Sequence, residues 1–466
     1  MLRLFVLGLS VIFVAPAQSQ SVSARPGQST ATPAETGSDS ATASVNYYSD
    51  NRDRMLTPPP VSGQTYPTSI GSAESPNYLH AGLTFTSAYT DNAIGSLNGH
   101  PTSDLSYSVF PNLAVDETTT RMHAELSYAP GFTFYQRTSA LNQADQNASI
   151  DFEYRLSPHV TFSARDTFQK ASNVFNQPDL ASTTTVTGSA GAPNFSVVAP
   201  IADQLRNSGN AGLTYQFARN AMIGGSGAFS NLSYSNPAQV SGLNDAATQS
   251  GSAFYALRVG RWHYVGAMYQ YQRLASYPAA GLNETQTHAA LLFYTLSSGP
   301  KFSISLFGGP QHADTVQPPQ QSGSSVTARS WTPAAGASLN WQQRLTSFSM
   351  SYAHVISGGG GLIGAVKMDS ASASVSQQIT KRLSGSIGAS YVQNDVLGNY
   401  IAGSQSGHSV SGTASLRQQF GQHLAVQLGY TRLHQDYAGV NVLALTPDTN
   451  REFVSISYHF SRPLGR

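Results

Sequence analysis

From Leu79 to the end of the chain, segments of ten to fifteen residues alternate aliphatic or aromatic side chains with Ser, Thr, Gly and Gln. A period of two is that of a pleated strand, whose successive side chains point to opposite faces. The strands come in pairs joined by very short polar turns, as in ASIDFEYRL-SPH-VTFSAR, GLTYQF-ARN-AMIGGSGAF, AFYALRVG-R-WHYVGAMYQY and TASLRQQ-FGQ-HLAVQLGY. Between pairs the connections are longer and richer in Gly, Pro, Asn and Asp, at residues 177–207, 236–244, 315–325, 357–364 and 438–450. Short and long connections alternate strictly, so all the turns gather at one end of the strands and all the loops at the other. A soluble sandwich has no reason for that asymmetry, whereas a membrane-spanning barrel does. Nine long and eight short connections predict an all-β, closed antiparallel barrel of about eighteen strands.

The two faces of the later strands agree with this. Phe348, Met350 and Tyr352 share one parity and Ser347, Ser349 and Ser351 the other. Leu383, Ile387, Ala389 and Tyr391 stand against Ser384, Ser386 and Ser390, and Leu424, Val426, Leu428 and Tyr430 against Gln427 and Thr431. A packed soluble core is not lined by serine. Apolar residues ending in tyrosine suit a lipid band with interfacial girdles, and small hydroxyls suit a wet interior. Closure also removes the edges that so many flat strands would expose.

Composition narrows the class further. Only 11% of the 466 residues are charged, against about a quarter in soluble domains. No window holds the roughly 18 to 20 apolar residues that a membrane helix needs. A net charge of +1 argues against a nucleic-acid partner, and the absence of cysteine rules out both disulfides and a lipoprotein acylation site. At the N-terminus, Arg3, the apolar run Leu4 to Val14 and Ala15-Pro16-Ala17 read as a secretory signal peptide. The expected organisation is therefore a signal peptide at 1–17, a disordered periplasmic tail or linker at 18–78, a barrel at 79–460 and a C-terminal tail at 461–466. Within the linker, NYYSDNRDRML at 46–56 alone combines aromatic and charged residues, which suits a docking peptide or an ordinary linker. A linker of this size cannot make a folded plug domain, which disfavours a TonB-dependent transporter.

The final strand reads REFVSISYHF, with Val454, Ile456, Tyr458 and Phe460 on one face. An alternating last strand closing in an aromatic residue resembles the C-terminal assembly signal of bacterial outer-membrane β-barrel proteins. The departure is SRPLGR, which follows Phe460, although Pro463 stops the strand. The resemblance is one of architecture over 79–460. It implies residence in the outer membrane, contact with its lipid, insertion by the barrel assembly machinery and a porin-like channel for a polar solute. The strand number and neutral wall are similar to those of exopolysaccharide exporters and sugar-specific porins, so the resemblance leaves saccharide uptake and exopolysaccharide export both open within the class of polar solutes. The alternatives are a barrel enzyme of the lipase or protease type and a structural or adhesive barrel with a closed lumen.

The candidate functional residues lie on three consecutive strands. If Met122, Ala124, Leu126 and Tyr128 face lipid, then Arg121, His123 and Glu125 face inward; by the same logic Asp151, Glu153, Arg155 and Arg165 face inward. They form either a salt-bridge ladder that stiffens the wall or a constriction that selects solute. Asp166 falls on the lipid parity, and a bulge beside it is the simplest repair. The opposite sector is neutral, with Ser370, Ser372, Ser374, Ser376, Ser409, Ser411, Thr413 and Ser415 inward, where hydroxyls exchange hydrogen bonds with water or sugars. No catalytic, cofactor or metal residues are predicted. Gly359 to Gly364 satisfies GxGxxG without a strand-to-helix context and reads as a flexible outer loop. The histidines lack metal-site spacing, and His354 beside Tyr352 reads as an interfacial residue in preference to part of a hydrolytic pair.

Overall fold

The computed structural model describes residues 77–93, 101–173, 201–235, 244–278, 281–298, 301–317, 326–360, 363–397, 406–437 and 448–464. The expected signal peptide, residues 18–76 of the linker with 46–56, and most of the longer loops lie outside these residues, while Tyr78, expected in the linker, opens the first strand. Eighteen strands form one sheet: β1 (Tyr78–Thr90), β2 (Asp104–Thr118), β3 (Met122–Tyr135), β4 (Gln143–Arg155), β5 (Val160–Asn173), β6 (Ile201–Ala218), β7 (Ala221–Tyr234), β8 (Ala246–Arg258), β9 (His263–Ser276), β10 (Asn283–Ser297), β11 (Phe302–Gln317), β12 (Val326–Gln342), β13 (Thr346–Gly359), β14 (Ile363–Gln378), β15 (Leu383–Val396), β16 (Gly407–Phe420), β17 (Leu424–Tyr437) and β18 (Asp448–Pro463). Each pairs antiparallel with its neighbours in sequence, and β1 closes the sheet onto β18 through thirteen register pairs, Tyr78↔Pro463 to Thr90↔Arg451.

Both chain ends of the barrel lie with the short turns. The eight connections after even-numbered strands span two to four residues, as in Arg219-Asn220 between β6 and β7. The final strand runs three residues beyond the expected limit. Ser461, Arg462 and Pro463 pair with His80, Leu79 and Tyr78, and the Leu464 N–H donates to the Asn77 carbonyl at 2.7 Å. Strand and ladder stop where proline, lacking an N–H, ends the pattern.

Strand β12 shows the outward face in full. Trp331, Pro333, Ala335, Ala337, Leu339 and Trp341 point out, while Thr332, Ala334, Gly336, Ser338 and Asn340 are buried on the other side. The two tryptophans are ten positions apart. At about 3.3 Å per residue and a tilt of about 40° they stand about 25 Å apart along the barrel axis, the height of an outer-membrane apolar band.

Two expectations are corrected here. No bulge accompanies Asp166: it pairs in unbroken register with Ile150 and Gly209, and its side chain faces out. A Cβ on Gly209 would stand 2.8 Å from Asp166 Oδ2, so the glycine leaves the slot that seats this carboxyl on the outer wall. Nor do residues 357–360 and 363–364, the described part of 357–364, form an outer loop. Pairing of β13 with β12 stops at His354↔Ala335, whereas pairing with β14 continues to Gly359↔Ile363. Freed from β12, the β13–β14 hairpin leans across the inside of the barrel. The Ile356 N–H donates to Gln311 Oε1 at 3.3 Å, and the Tyr234 hydroxyl of β7 donates to the Gly360 carbonyl at 2.8 Å. A Cβ on Gly358 would lie 3.9 Å from Thr248 Oγ1 of β8, and Gly360 has φ +66°, which favours glycine at this tip.

Candidate functional site

The inner wall divides by chemistry. On one side Asp116, Glu125, Asp151, Arg165 and Asn210 are successive register partners on β2 to β6, all turned inward. Two residues nearer the turn end, His123 faces Glu153, donates to or accepts from Thr118 Oγ1 at 3.0 Å, and lies 3.6 Å from Asp116. Sequence parity thus placed His123, Glu125, Asp151, Glu153 and Arg165 on one patch of wall. Arg121 and Arg155 stand apart from it at the turn end, where the Arg155 N–H donates to the Arg121 carbonyl at 2.7 Å. Among the described residues no ion-pair contact joins Arg165 to Asp151, its direct cross-strand partner, as a ladder of closed ion pairs would require.

The structure adds ionisable groups that the sequence reading missed. Asp116 belongs to the patch; it follows Asn112 and Ala114 on the inward parity of β2, a signal hidden by the turn-like run Asp116-Glu117-Thr118. Across the closing seam, Arg417 Nη2 approaches His459 Nε2 at 3.5 Å, the His423 ring meets the His459 carbonyl at 2.9 Å, and His80 is inward on β1. Cationic and imidazole groups therefore adjoin the carboxylates of β2 to β4. Among the described residues, β7 to β15 turn no ionisable Asp, Glu, Lys, Arg or His side chain inward except Arg258 at the foot of β8.

The neutral half has two textures. On β13 to β16, hydroxyls pair across strands: Ser349 with Ser374 and Ser351 with Ser372 at 2.7 Å, Ser386 with Ser415 at 2.8 Å, and Ser390 with Ser411 at 2.6 Å. The expected inward positions of Ser370 to Ser376 and Ser409 to Ser415 hold. On the turn-end half of β7 to β12 the inside is apolar instead, with Met222, Tyr264, Met268, Leu291, Phe293 and Phe307 packed together. Glycines make room: a Cβ on Gly266 would overlap the Phe293 ring, and one on Gly336 the Phe307 ring. Exposure varies along the axis as well. Asn210, Ser226 and Ser386 are open to the inside near the turn end, whereas Thr86, Thr285 and Asn394 in the loop-end half, where the hairpin leans in, are at most 1% exposed.

On the outer wall His354 Nδ1 and the Tyr352 hydroxyl both lie 2.8 Å from Asp369 Oδ1. Among the described residues no serine is bonded to His354. The terminal residues Val454, Ile456, Tyr458 and Phe460 all face out and are 43 to 51% exposed. No group of described residues has the composition of a metal site.

A closed barrel with an apolar exterior, bounded on β12 by Trp331 and Trp341, and a hydroxylated, charged interior is a β-barrel of the bacterial outer membrane. No protein-family profile matches the chain, and no curated protein matches it. Similar solved structures include Pseudomonas aeruginosa OpdQ, at 11% identity and a TM-score of 0.41, covering 83% of this chain and 99% of that one. Pseudomonas aeruginosa OpdK is similar at 9% identity and 0.41, covering 82% and 99%, and the ferric citrate transporter FecA at 11% and 0.40, covering 77% and 60%.

Proposed function

We propose that the protein is a porin-like channel through which polar solutes cross the outer membrane, with its narrowest level at the inward β13–β14 hairpin. The observation that carries this is the split inner wall: among the described residues, inward ionisable groups gather on β16 through β1 to β6, with Arg258 at the foot of β8 the exception, and face serine ladders on β13 to β16. Such a wall gives a passing solute charge on one side and neutral donors and acceptors on the other. Paired serines offer a sugar hydroxyls that both donate and accept, which supports a saccharide as solute, taken up or exported. The outward His354–Asp369 pair has no partnered serine among the described residues and so lends no support to hydrolytic chemistry. A packed loop-end half favours one second reading, a closed structural barrel.

Single-channel recording of the purified protein in planar bilayers decides between them. Conductance reduced by neutral oligosaccharides supports a sugar path, and conductance indifferent to them assigns a path for other polar solutes. No conductance in any salt overturns the channel and favours the closed barrel.

A further inference from the structure

The outward face of β6 to β10 departs from the bulky surface elsewhere. Gly225, Ala253, Ala267 and Ala290 lie on the membrane side and floor a groove of about 860 Å³. Gly227 and Gly251 continue this floor toward the loop end, where an added Cβ would meet nothing closer than 3.8 Å. Tyr215 and Ile223 wall one side, Tyr269 and Leu292 the other. A recess of this kind in a lipid-facing wall forfeits dispersion contacts unless a chain fills it.

What fills it is indicated by the turns beneath. Arg219 lies in the β6–β7 turn, Arg261 in the β8–β9 turn and Lys301 at the entry to β11. Arg258, the last residue of β8, ties that strand end to the β6–β7 turn, donating through Nη2 to the Arg219 carbonyl at 3.2 Å and to Asn220 Oδ1 at 3.0 Å. Arg261 stacks over Trp262 with its guanidinium carbon 4.7 Å from the ring centroid, an arrangement suited to the membrane interface. The described residues of these turns include no carboxylate. The asymmetry runs round the rim, with Arg121, Arg344, Lys381 and Arg382 in other turns, while Asp91, Asp104, Asp245 and Asp448 mark the opposite, loop end.

We propose that this groove binds one anionic phospholipid of the periplasmic leaflet, its acyl chain on the glycine and alanine floor and its phosphate between Arg219 and Arg261. A second copy of the barrel suits the site less well. Its own rim is equally cationic, so apposed turns would set like charges together without a carboxylate between them. A phosphate neutralises the same groups and keeps its tail in the recess. The site lies outside the lumen and does not depend on what the channel conducts.

The test uses the full barrel in nanodiscs of phosphatidylethanolamine with a minority of phosphatidylglycerol, released into mild detergent and weighed by native mass spectrometry. The wild type should keep one phosphatidylglycerol, enriched at least fivefold over its share of the bilayer. Arg219→Gln with Arg261→Gln should abolish the enrichment, and Ala253→Leu with Ala267→Leu, which fills the floor, should lower retained lipid at least fivefold. Arg344→Gln, a rim cation away from the groove, should change neither. Heat-dependent gel mobility checks that each variant is folded, and a single Ala290→Leu change replaces any pair that is not. Equal retention in the filled variant, no preference for phosphatidylglycerol, or a dimer or trimer mass that the filling changes dissolve would each overturn the proposal.

Discussion

Neutralising Arg165 should move the channel's ion preference by an amount that barrel dimensions fix in advance. Eighteen strands spaced about 4.8 Å and tilted about 40° close at a radius of about 18 Å, which leaves an ion on the axis about 10 Å from the charged heads of the inner wall. At that distance one charge in water contributes about 0.4 kcal/mol, and screening at 0.1 M salt cuts this to about 0.15 kcal/mol. Because cations and anions respond in opposite directions, the permeability ratio changes by about 1.7-fold with full screening and about fourfold without it. Across a tenfold salt gradient that is a reversal-potential shift of about 10 to 30 mV.

Arg165→Gln should therefore shift preference toward cations and Glu153→Gln toward anions, with Ser372→Ala in the neutral half inert. Shifts at the upper end would place the charges where the lumen is narrower or less hydrated than the axis estimate assumes. Reversal potentials unchanged in both charge variants, or moved in the same direction, would refute the selecting patch. The charged groups would then contribute only to the wall's stability, at about 0 to 1 kcal/mol for any exposed pair they form.

Tyr234→Phe removes the hydrogen bond to the Gly360 carbonyl, worth about 1 kcal/mol; larger or noisier conductance is expected, and an unaltered trace would show that the hairpin tip does not narrow the path. Gly266→Ala forces a methyl against Phe293 and should cost about 1 to 3 kcal/mol, read as a lower temperature for loss of the folded gel band, while Gly412→Ala, with nothing within 4 Å of the added Cβ, should behave as wild type. Phe460→Ala should reduce the amount of barrel in the outer membrane and raise periplasmic degradation, more than deletion of 461–466, which removes only three of thirteen closing pairs; the reverse order would move the assembly signal into the tail.

The barrel was legible because lipid imposes one rule on every strand. From β12 to β18 outward positions within the lipid band are apolar, so parity alone assigns Phe348, Met350, Tyr352 and Tyr458 to the outside, and all four face there. The same logic found the inward charges of β3 to β5 without any knowledge of register. It failed where a single residue obeys its neighbour in space. Asp166 keeps its lipid parity because Gly209, on another strand, leaves it a slot; a bulge was the nearest local explanation, and the real one is forty-three residues away.

The inward hairpin escaped for a related reason. Residues 357–364 are glycine-rich, which suits an exposed loop and a tip that must pass close to other backbone equally well. What decides is that β12 abandons β13 after Ala335, and the lost pairing lies on the partner strand. The apolar inner wall of β7 to β12 was hidden differently. There both parities are apolar, as in Ala289 to Leu296, and period two no longer tells inside from outside. Cross-strand register resolves it, because each inward phenylalanine lies over a glycine of the next strand, Phe293 on Gly266 and Phe307 on Gly336. A ring laid flat over a glycine occupies wall and not lumen, so bulky residues can line this sector while the passage beside the serine strands stays polar.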